Sequence, residues 1–290
     1  LVVQDGARRN YSVPRALNQY KLLSGVYCPM MLKNRNSSRV LSKLGEVTGW
    51  VPVQSLSKRF PERIPSEKIF RNLPLAVRLA FKKKTTADSI RFFWEESQEI
   101  SKWILENIED RSVKGIYGFV RNVAPDIGEY CQKNGLMFIG DQMIATAHEE
   151  LNQLRIQHDR WPGCESSQGE RDLQIYGDWE KQTWAYCDEI VCGSEYVKKT
   201  LKQQGILNTK VVRTVAPDVL YERRDFSSSI GNSKDLVVGF VGTVGLRKGA
   251  PYFFNVAKRF KNIEKVRFEM VGPVCLNRRG VRLNENVNLK

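Results

Sequence analysis

The chain has 290 residues, 41% of them hydrophobic, and carries 46 Lys+Arg against 32 Asp+Glu for a formal charge of +14. This length and apolar content suit two α/β domains and exclude a disordered chain, and no apolar run reaches the ~18 residues of a membrane-spanning helix. The six cysteines are scattered without a C-x-x-C pair and only His148 and His158 accompany them, so the pattern reads as reduced, buried thiols of a cytosolic protein rather than a zinc site.

In chain order, Leu1-Val2-Val3-Gln4 reads as a strand already under way, with a few residues expected ahead of it. Asp5 to Asn10 follow as a glycine-containing loop, and a helix is expected over Pro14 to Leu23, beginning near Ser12 as a possible cap. Residues 46–68 are rich in Pro, Ser and Gly and read as irregular. The charge is uneven: residues 1–87 hold 17 Lys+Arg and 4 Asp+Glu, a balance of +13, whereas residues 88–290 hold 29 and 28, a balance of +1. The densest stretch, Lys68 to Lys84, has six cations and no acid, interleaved with Ile69, Phe70, Leu73, Leu75, Val77, Leu79 and Phe81. Such a basic amphipathic segment suits an anionic membrane surface; a helix that buries one face and solvates its lysines is the competing reading. Nucleic acid is not expected, because no recognised binding module accompanies the charge.

Thr86 to Glu109 has a helical pattern, Lys114 to Val120 reads as a strand, and Ala124 to Asn134 as a helix closed by Gly135. Leu136 to Ile139 is the next strand, ending at Gly140-Asp141-Gln142. A long polar region with helical stretches runs from Met143 to Lys181. Glu189 to Cys192 is a strand, Ser194 caps a helix through Gln204 that Gly205 terminates, and Lys210 to Val215 is a further strand. Residues 222–234 form a serine-rich link, which places an N-terminal domain over 1–220, a linker over 221–234 and a partial second domain over 235–290. Strands alternating with helices predict an α/β fold of two Rossmann-like domains; the second is expected to be incomplete, cut off at its C-terminal side, because only about 56 residues follow the link.

The stretch from Asp235 to Val271 carries the most chemistry. Leu236 to Val241 is an apolar run of buried-strand length, and Gly242-Thr243-Val244-Gly245-Leu246-Arg247-Lys248-Gly249 follows with three glycines and two adjacent cations. Ala250-Pro251 opens a helix in which Tyr252, Phe253, Val256, Ala257 and Phe260 recur at helical spacing. A glycine turn at a helix N-terminus, with two fixed positive charges, is what a diphosphate requires.

Together these motifs resemble the two-Rossmann-domain (GT-B) glycosyltransferases of family 4. The resemblance rests on Cys187 to Val197 (CDEIVCGSEYV), Val212 to Asp218 (VRTVAPD), Phe240 to Gly249 (FVGTVGLRKG), Val271-Gly272-Pro273 and Asp5 to Pro14 (DGARRNYSVP), with Asp141-Gln142, Glu149-Glu150 and Trp161-Pro162 similar to one subgroup. It implies transfer of a sugar from a nucleotide-diphosphate donor to an acceptor hydroxyl, with retention of configuration and without a required metal or other cofactor. The donor would lie chiefly on the C-terminal domain. Arg247 and Lys248, with Thr243 and Gly249, would hold the diphosphate, and the Gly6-Ala7 backbone would close on the same phosphates. Asp141 stands where the family places a histidine or acid near the sugar, although it would equally cap the following helix. Arg8, Arg9, Gln142, Glu149, Ser194 and Glu195 are candidates for acceptor or sugar contact, Ser194 also being a helix cap.

The chain departs from the pattern at Thr243, where the family commonly has an arginine whose charge Arg247 would take over, and in the family's paired glutamates, expected beyond Lys290. A fragment of these residues alone is therefore expected to lack activity. The resemblance and the charge together imply a cytoplasmic enzyme of surface glycan synthesis, working on a saccharide or lipid-linked acceptor at the inner membrane face. The rival readings are a nucleotide-sugar epimerase or phosphorylase of the same architecture, and a non-catalytic basic binding protein.

Overall fold

A computed structural model of the chain describes residues 1–48, 56, 59–85, 89–108, 113–123, 125–166, 168–212, 236–281 and 287–289. The expected 221–234 linker and the end of the strand expected over Lys210 to Val215 lie outside these residues. Two compact units emerge: Leu1–Thr146 with Tyr176–Pro217, and Ala147–Ile175 with Asp218–Lys290. This differs from the expected division at residue 220, because residues 147–175 group with the second unit. The reason is packing: Leu154, Trp161 and Cys164 join the apolar cluster built by Val244, Leu246, Phe254, Phe268 and Met270.

The first unit holds a seven-stranded sheet of parallel pairs in the order β3-β2-β1-β4-β5-β6-β7. Its strands are β1 (Val2–Val3), β2 (Val26–Tyr27), β3 (Ile69–Phe70), β4 (Gly115–Phe119), β5 (Met137–Gln142), β6 (Glu189–Cys192) and β7 (Thr209–Val211). This is the doubly wound Rossmann order with one strand added, and it reverses direction between β1 and β4. Strands covered on both faces read as apolar runs, and Val2, Val3, Val26, Ile116, Phe138 and Ile190 are accordingly buried. Gly118 in β4 leaves room for the neighbouring turn: a β-carbon there would stand 2.5 Å from Val123 Cγ2.

The first helix spans Ser12–Gln19, shorter than expected, and its cap position is Tyr11, not Ser12. Arg9, Asn10 and Tyr11 all have left-handed backbone angles (φ 45°, 50° and 58°), so the chain enters the helix through a left-handed turn that places Ser12 already inside it. Part of the stretch expected to be irregular is helical, within Arg35–Thr48. The basic segment forms β3 and the helix Leu73–Thr85. Leu75 and Leu79 are buried in the core with Ile100 and Ile104 of the helix Ser89–Asn107. Its charges are largely engaged within the chain: Arg78 pairs with Glu99 at 2.6 Å, Lys82 with Glu95 at 2.7 Å, and Lys68 Nζ donates to Asn18 Oδ1. Leu73, Val77 and Phe81, four residues apart, remain exposed.

The polar region from Met143 to Lys181 resolves into the helices Ala147–Arg160 and Gln168–Trp184. Ser194 caps the helix Glu195–Gln203 as expected, its Oγ accepting from Val197 N–H at 3.3 Å. The second unit contains β8 (Leu236–Val241), β9 (Val266–Val271) and β10 (Val287–Leu289), parallel in the order β10-β9-β8, with the helix Ala250–Arg259 between β8 and β9. That is the strand order of the first half of a Rossmann sheet, so the expected class, α/β with two Rossmann-like units and a second one of few strands, is the observed one. Five of the six cysteines are buried and none is bridged, and burial pushes the Cys28, Cys131 and Cys187 thiols up to about 12. Among the described residues no helix is long and apolar enough to cross a membrane.

Candidate functional site

In open parallel sheets ligands bind outside the carboxyl ends of the strands where the order reverses. In the first unit that point lies between β1 and β4, and it gathers Asp5, Arg8 and Asn122. Arg8 makes a two-pronged pair with Asp5, Nε to Oδ1 at 2.8 Å and Nη2 to Oδ2 at 2.7 Å. Asn122 joins both, accepting from Arg8 Nη2 and donating to Asp5 Oδ2, each at 3.0 Å. Gly6 is buried, and its carbonyl accepts from the Arg8 N–H and from Gln4 Nε2. A β-carbon on Gly6 would stand 2.5 Å from Arg59 Nη1, so this guanidinium lies against the loop, while the Ala7 carbonyl accepts from Asn10 N–H.

Asp141 stands one strand further on, at the end of β5. Tyr117 of β4 donates its hydroxyl to Asp141 Oδ2 at 2.6 Å, and Arg9 Nη1 lies 3.4 Å from the same oxygen. Asp141 is 1% exposed, and its Oδ1 has no hydrogen-bond partner among the described residues. Burial raises its carboxyl above the usual carboxylate range, opposed by the Tyr117 hydrogen bond and the Arg9 and Arg8 charges. The site thus presents a buried carboxyl with one oxygen unpartnered among the described residues and a guanidinium held near the other by a left-handed turn.

Gln142, next in the strand, is engaged elsewhere. Its Nε2 donates to Glu180 Oε1 at 2.7 Å and its Oε1 accepts from Trp184 Nε1 at 3.1 Å, while Arg121 Nε donates to Glu180 Oε1 at 2.7 Å. These bonds tie the Gln142 carboxamide, 1% exposed, into the interior of the first unit. Ser194 is occupied as a cap, and Glu195 is exposed in the first turn of its helix. Arg9 brings the loop after β1 near the end of β6, since a β-carbon on Gly193 would lie 3.5 Å from its Nη2.

The second unit holds the basic loop. Leu246–Lys248 form a single tight turn that ends at Gly249, whose left-handed φ of 76° starts the helix Ala250–Arg259 with Pro251 in its first turn. Gly242 and Gly272, with φ of 139° and 143°, end β8 and β9, and Thr243 is half-buried between Gly242 and the buried Val244. Arg247 and Lys248 are exposed at this turn. Two acids from the polar region 143–181 meet this turn: Glu150 Oε1 lies 3.6 Å from Arg247 Nη1, and Glu165 Oε2 accepts from Leu246 N–H at 2.6 Å. Glu149 also belongs to this unit and accepts from Gln153 Nε2 at 2.9 Å.

Sequence reasoning did not single out Tyr117, Asn122, Arg121, Glu180 or Glu165. Their partners are remote in sequence, and strand alternation alone would have drawn attention only to Tyr117, a polar tip in an otherwise apolar strand. Among the described residues no cluster of three metal-ligating side chains occurs.

No family model and no curated protein matches the chain. Among solved structures it is similar to TcCGT1 in complex with UDP, at 13% identity over 99% of this chain and 71% of that one, with a TM-score of 0.49. It is similar to UGT2 of Phytolacca americana complexed with UDP-2fluoro-glucose and pterostilbene, at 12% identity over 100% and 70%, with a TM-score of 0.49. It is also similar to a putative UDP-N-acetylglucosamine 2-epimerase from Listeria monocytogenes, at 11% identity over 99% and 67%, with a TM-score of 0.46. At these identities the likeness assigns no role to any residue of this chain.

Proposed function

We propose that this chain binds a nucleotide-diphosphate sugar through the loop Gly242 to Gly249 and belongs to a glycosyltransferase that moves the sugar, with retention, onto a saccharide or lipid-linked acceptor. One observation carries the reading: two adjacent exposed cations, Arg247 and Lys248, project from a glycine-ended turn at the N-terminus of the helix Ala250–Arg259. The positive end of the helix and two cations suit a diphosphate, whose charge grows as the sugar departs. In the first unit, Asp141 is the candidate for contact with the reacting sugar: Arg9 and Tyr117 fix Oδ2, and its Oδ1, buried here, is unpartnered among the described residues. Arg8 is held by Asp5 and serves the shape of the loop, so contact with an anionic acceptor falls to Arg9 before Arg8. No metal or other cofactor enters the proposal.

Work at a membrane face is part of the same proposal, supported by the exposed strip Leu73, Val77 and Phe81. Because Arg78 and Lys82 are paired with acids, apolar insertion rather than charge would supply the hold. Calorimetric titration with UDP and with GDP, on the wild-type chain and on Lys248→Ala, tests the donor site. Binding of one nucleotide, weakened about tenfold or more by the substitution, is the expected result. Equal binding by the variant, or none by either protein, would refute it.

A further inference from the structure

The loop that the sequence presents as doubly positive is close to neutral in the fold. Arg247 faces Glu150, and the Glu165 carboxylate sits on the Leu246 N–H, a backbone donor of the same turn that a phosphate oxygen would use. Glu165 is not a wandering surface side chain. The preceding Cys164 is buried in the core of the second unit, its carbonyl accepts from Asn277 N–H at 2.9 Å, and Asn277 Nδ2 donates to the Gly163 carbonyl at 2.6 Å. Gly245 accommodates the acid: a β-carbon there would lie 3.1 Å from Glu165 Oε2, tight enough to press it away. The helix Ala147–Arg160, which carries Glu150, is fastened to the same unit by Arg160 and Gln157, both bonded to the Tyr252 hydroxyl at 2.6 and 2.8 Å.

We propose that Glu165 is an internal competitor for the anion that this loop binds, and that Glu150 assists it by engaging Arg247. The inference rests on the reading of the Gly242 to Gly249 loop as a diphosphate site. A carboxylate and a phosphate oxygen cannot share one N–H, and two anions at such range repel, so an incoming diphosphate must displace Glu165. The acid keeps the turn ordered and its donor satisfied while no ligand is present, and it sets affinity low enough for the nucleotide product to leave. The strap from Glu150 to Glu165 therefore tunes a site built by β8 and the helix Ala250–Arg259.

Glu165→Gln is the decisive variant, because the amide oxygen still accepts from Leu246 N–H while the charge is gone. Titrations of wild type, Glu165→Gln and Glu150→Gln with UDP, GDP, inorganic pyrophosphate and uridine are compared. The expected result is a gain of about tenfold in affinity for the phosphate-bearing ligands in Glu165→Gln and a smaller gain in Glu150→Gln, with uridine unchanged. In the wild type, the amide resonance of Leu246 should shift on addition of UDP as its acceptor changes from carboxylate to phosphate. Unchanged or weaker phosphate affinity in a folded Glu165→Gln overturns the competitor role and leaves the diphosphate reading standing. Absence of binding of every phosphate ligand to all three proteins overturns the diphosphate reading itself.

Discussion

Replacing Arg121 by alanine tests whether the interior of the first unit holds a charged pair. Glu180 is fully buried, and its Oε1 accepts from Arg121 Nε and from Gln142 Nε2, both at 2.7 Å. Arg121 also donates Nη2 to the Ala145 carbonyl at 3.2 Å and lies 5.0 Å over the Tyr176 ring. Removing the guanidinium leaves a carboxylate without its counter-charge in a site closed to solvent. Breaking such a buried pair from one side costs about 3–5 kcal/mol, and lost cation–π contact lies within that figure because the effects are not additive. The double variant Arg121→Met, Glu180→Gln removes both charges and keeps an acceptor for Gln142, so most of the loss should return. Urea unfolding followed by tryptophan fluorescence measures both, since Trp179 and Trp184 are buried in this unit. A loss under about 1 kcal/mol for Arg121→Ala, or no recovery in the double variant, would refute the account of a charged interior pair.

Asp141→Asn should make stability less sensitive to pH. The folded carboxyl lies above its ordinary value of 3.8, so the folded state binds the proton more tightly than the unfolded chain does. The stability gained this way is fully present below 3.8 and is lost as pH rises through the raised folded value, at up to about 1.4 kcal/mol per pH unit. The asparagine variant should therefore gain on wild type as pH rises through that window, and parallel urea midpoints would contradict it. Gly272→Ala should destabilise the second unit by about 1–3 kcal/mol or more, because its φ is 143° and a β-carbon would collide with the Gly242 carbonyl oxygen; an unchanged melting temperature would count against this. Sedimentation with anionic vesicles should retain the wild type with little loss in high salt, and Val77→Glu with Phe81→Glu should abolish it; equal retention of the variant would remove the proposed membrane strip.

The amino-acid sequence determined those features whose cause lies within a few neighbouring residues. Leu236 to Val241 and Glu189 to Cys192 form strands because short apolar runs bounded by glycine or polar turns have few other ways to satisfy their backbone. Ser194 caps its helix because the bond closes over three residues, and Gly249 opens another because, without a β-carbon, it takes the left-handed turn at little cost. The order of the strands, by contrast, depends on which apolar faces cover one another, and the helix Ala147–Arg160 joined the second unit through contacts no periodicity announces. The fate of the charges was likewise decided by the fold. Arg8 and Arg9 read as free cations until Asp5 and Asp141 closed on them, Gln142 read as a ligand contact until Glu180 took it, and Arg247 and the Leu246 N–H met Glu150 and Glu165. Local propensity falls off within a helical turn, whereas electrostatic and hydrogen-bond partners are chosen by proximity in space. Leu246 and Glu165 are 81 residues apart in sequence, and only tertiary packing brings a carboxylate to that amide.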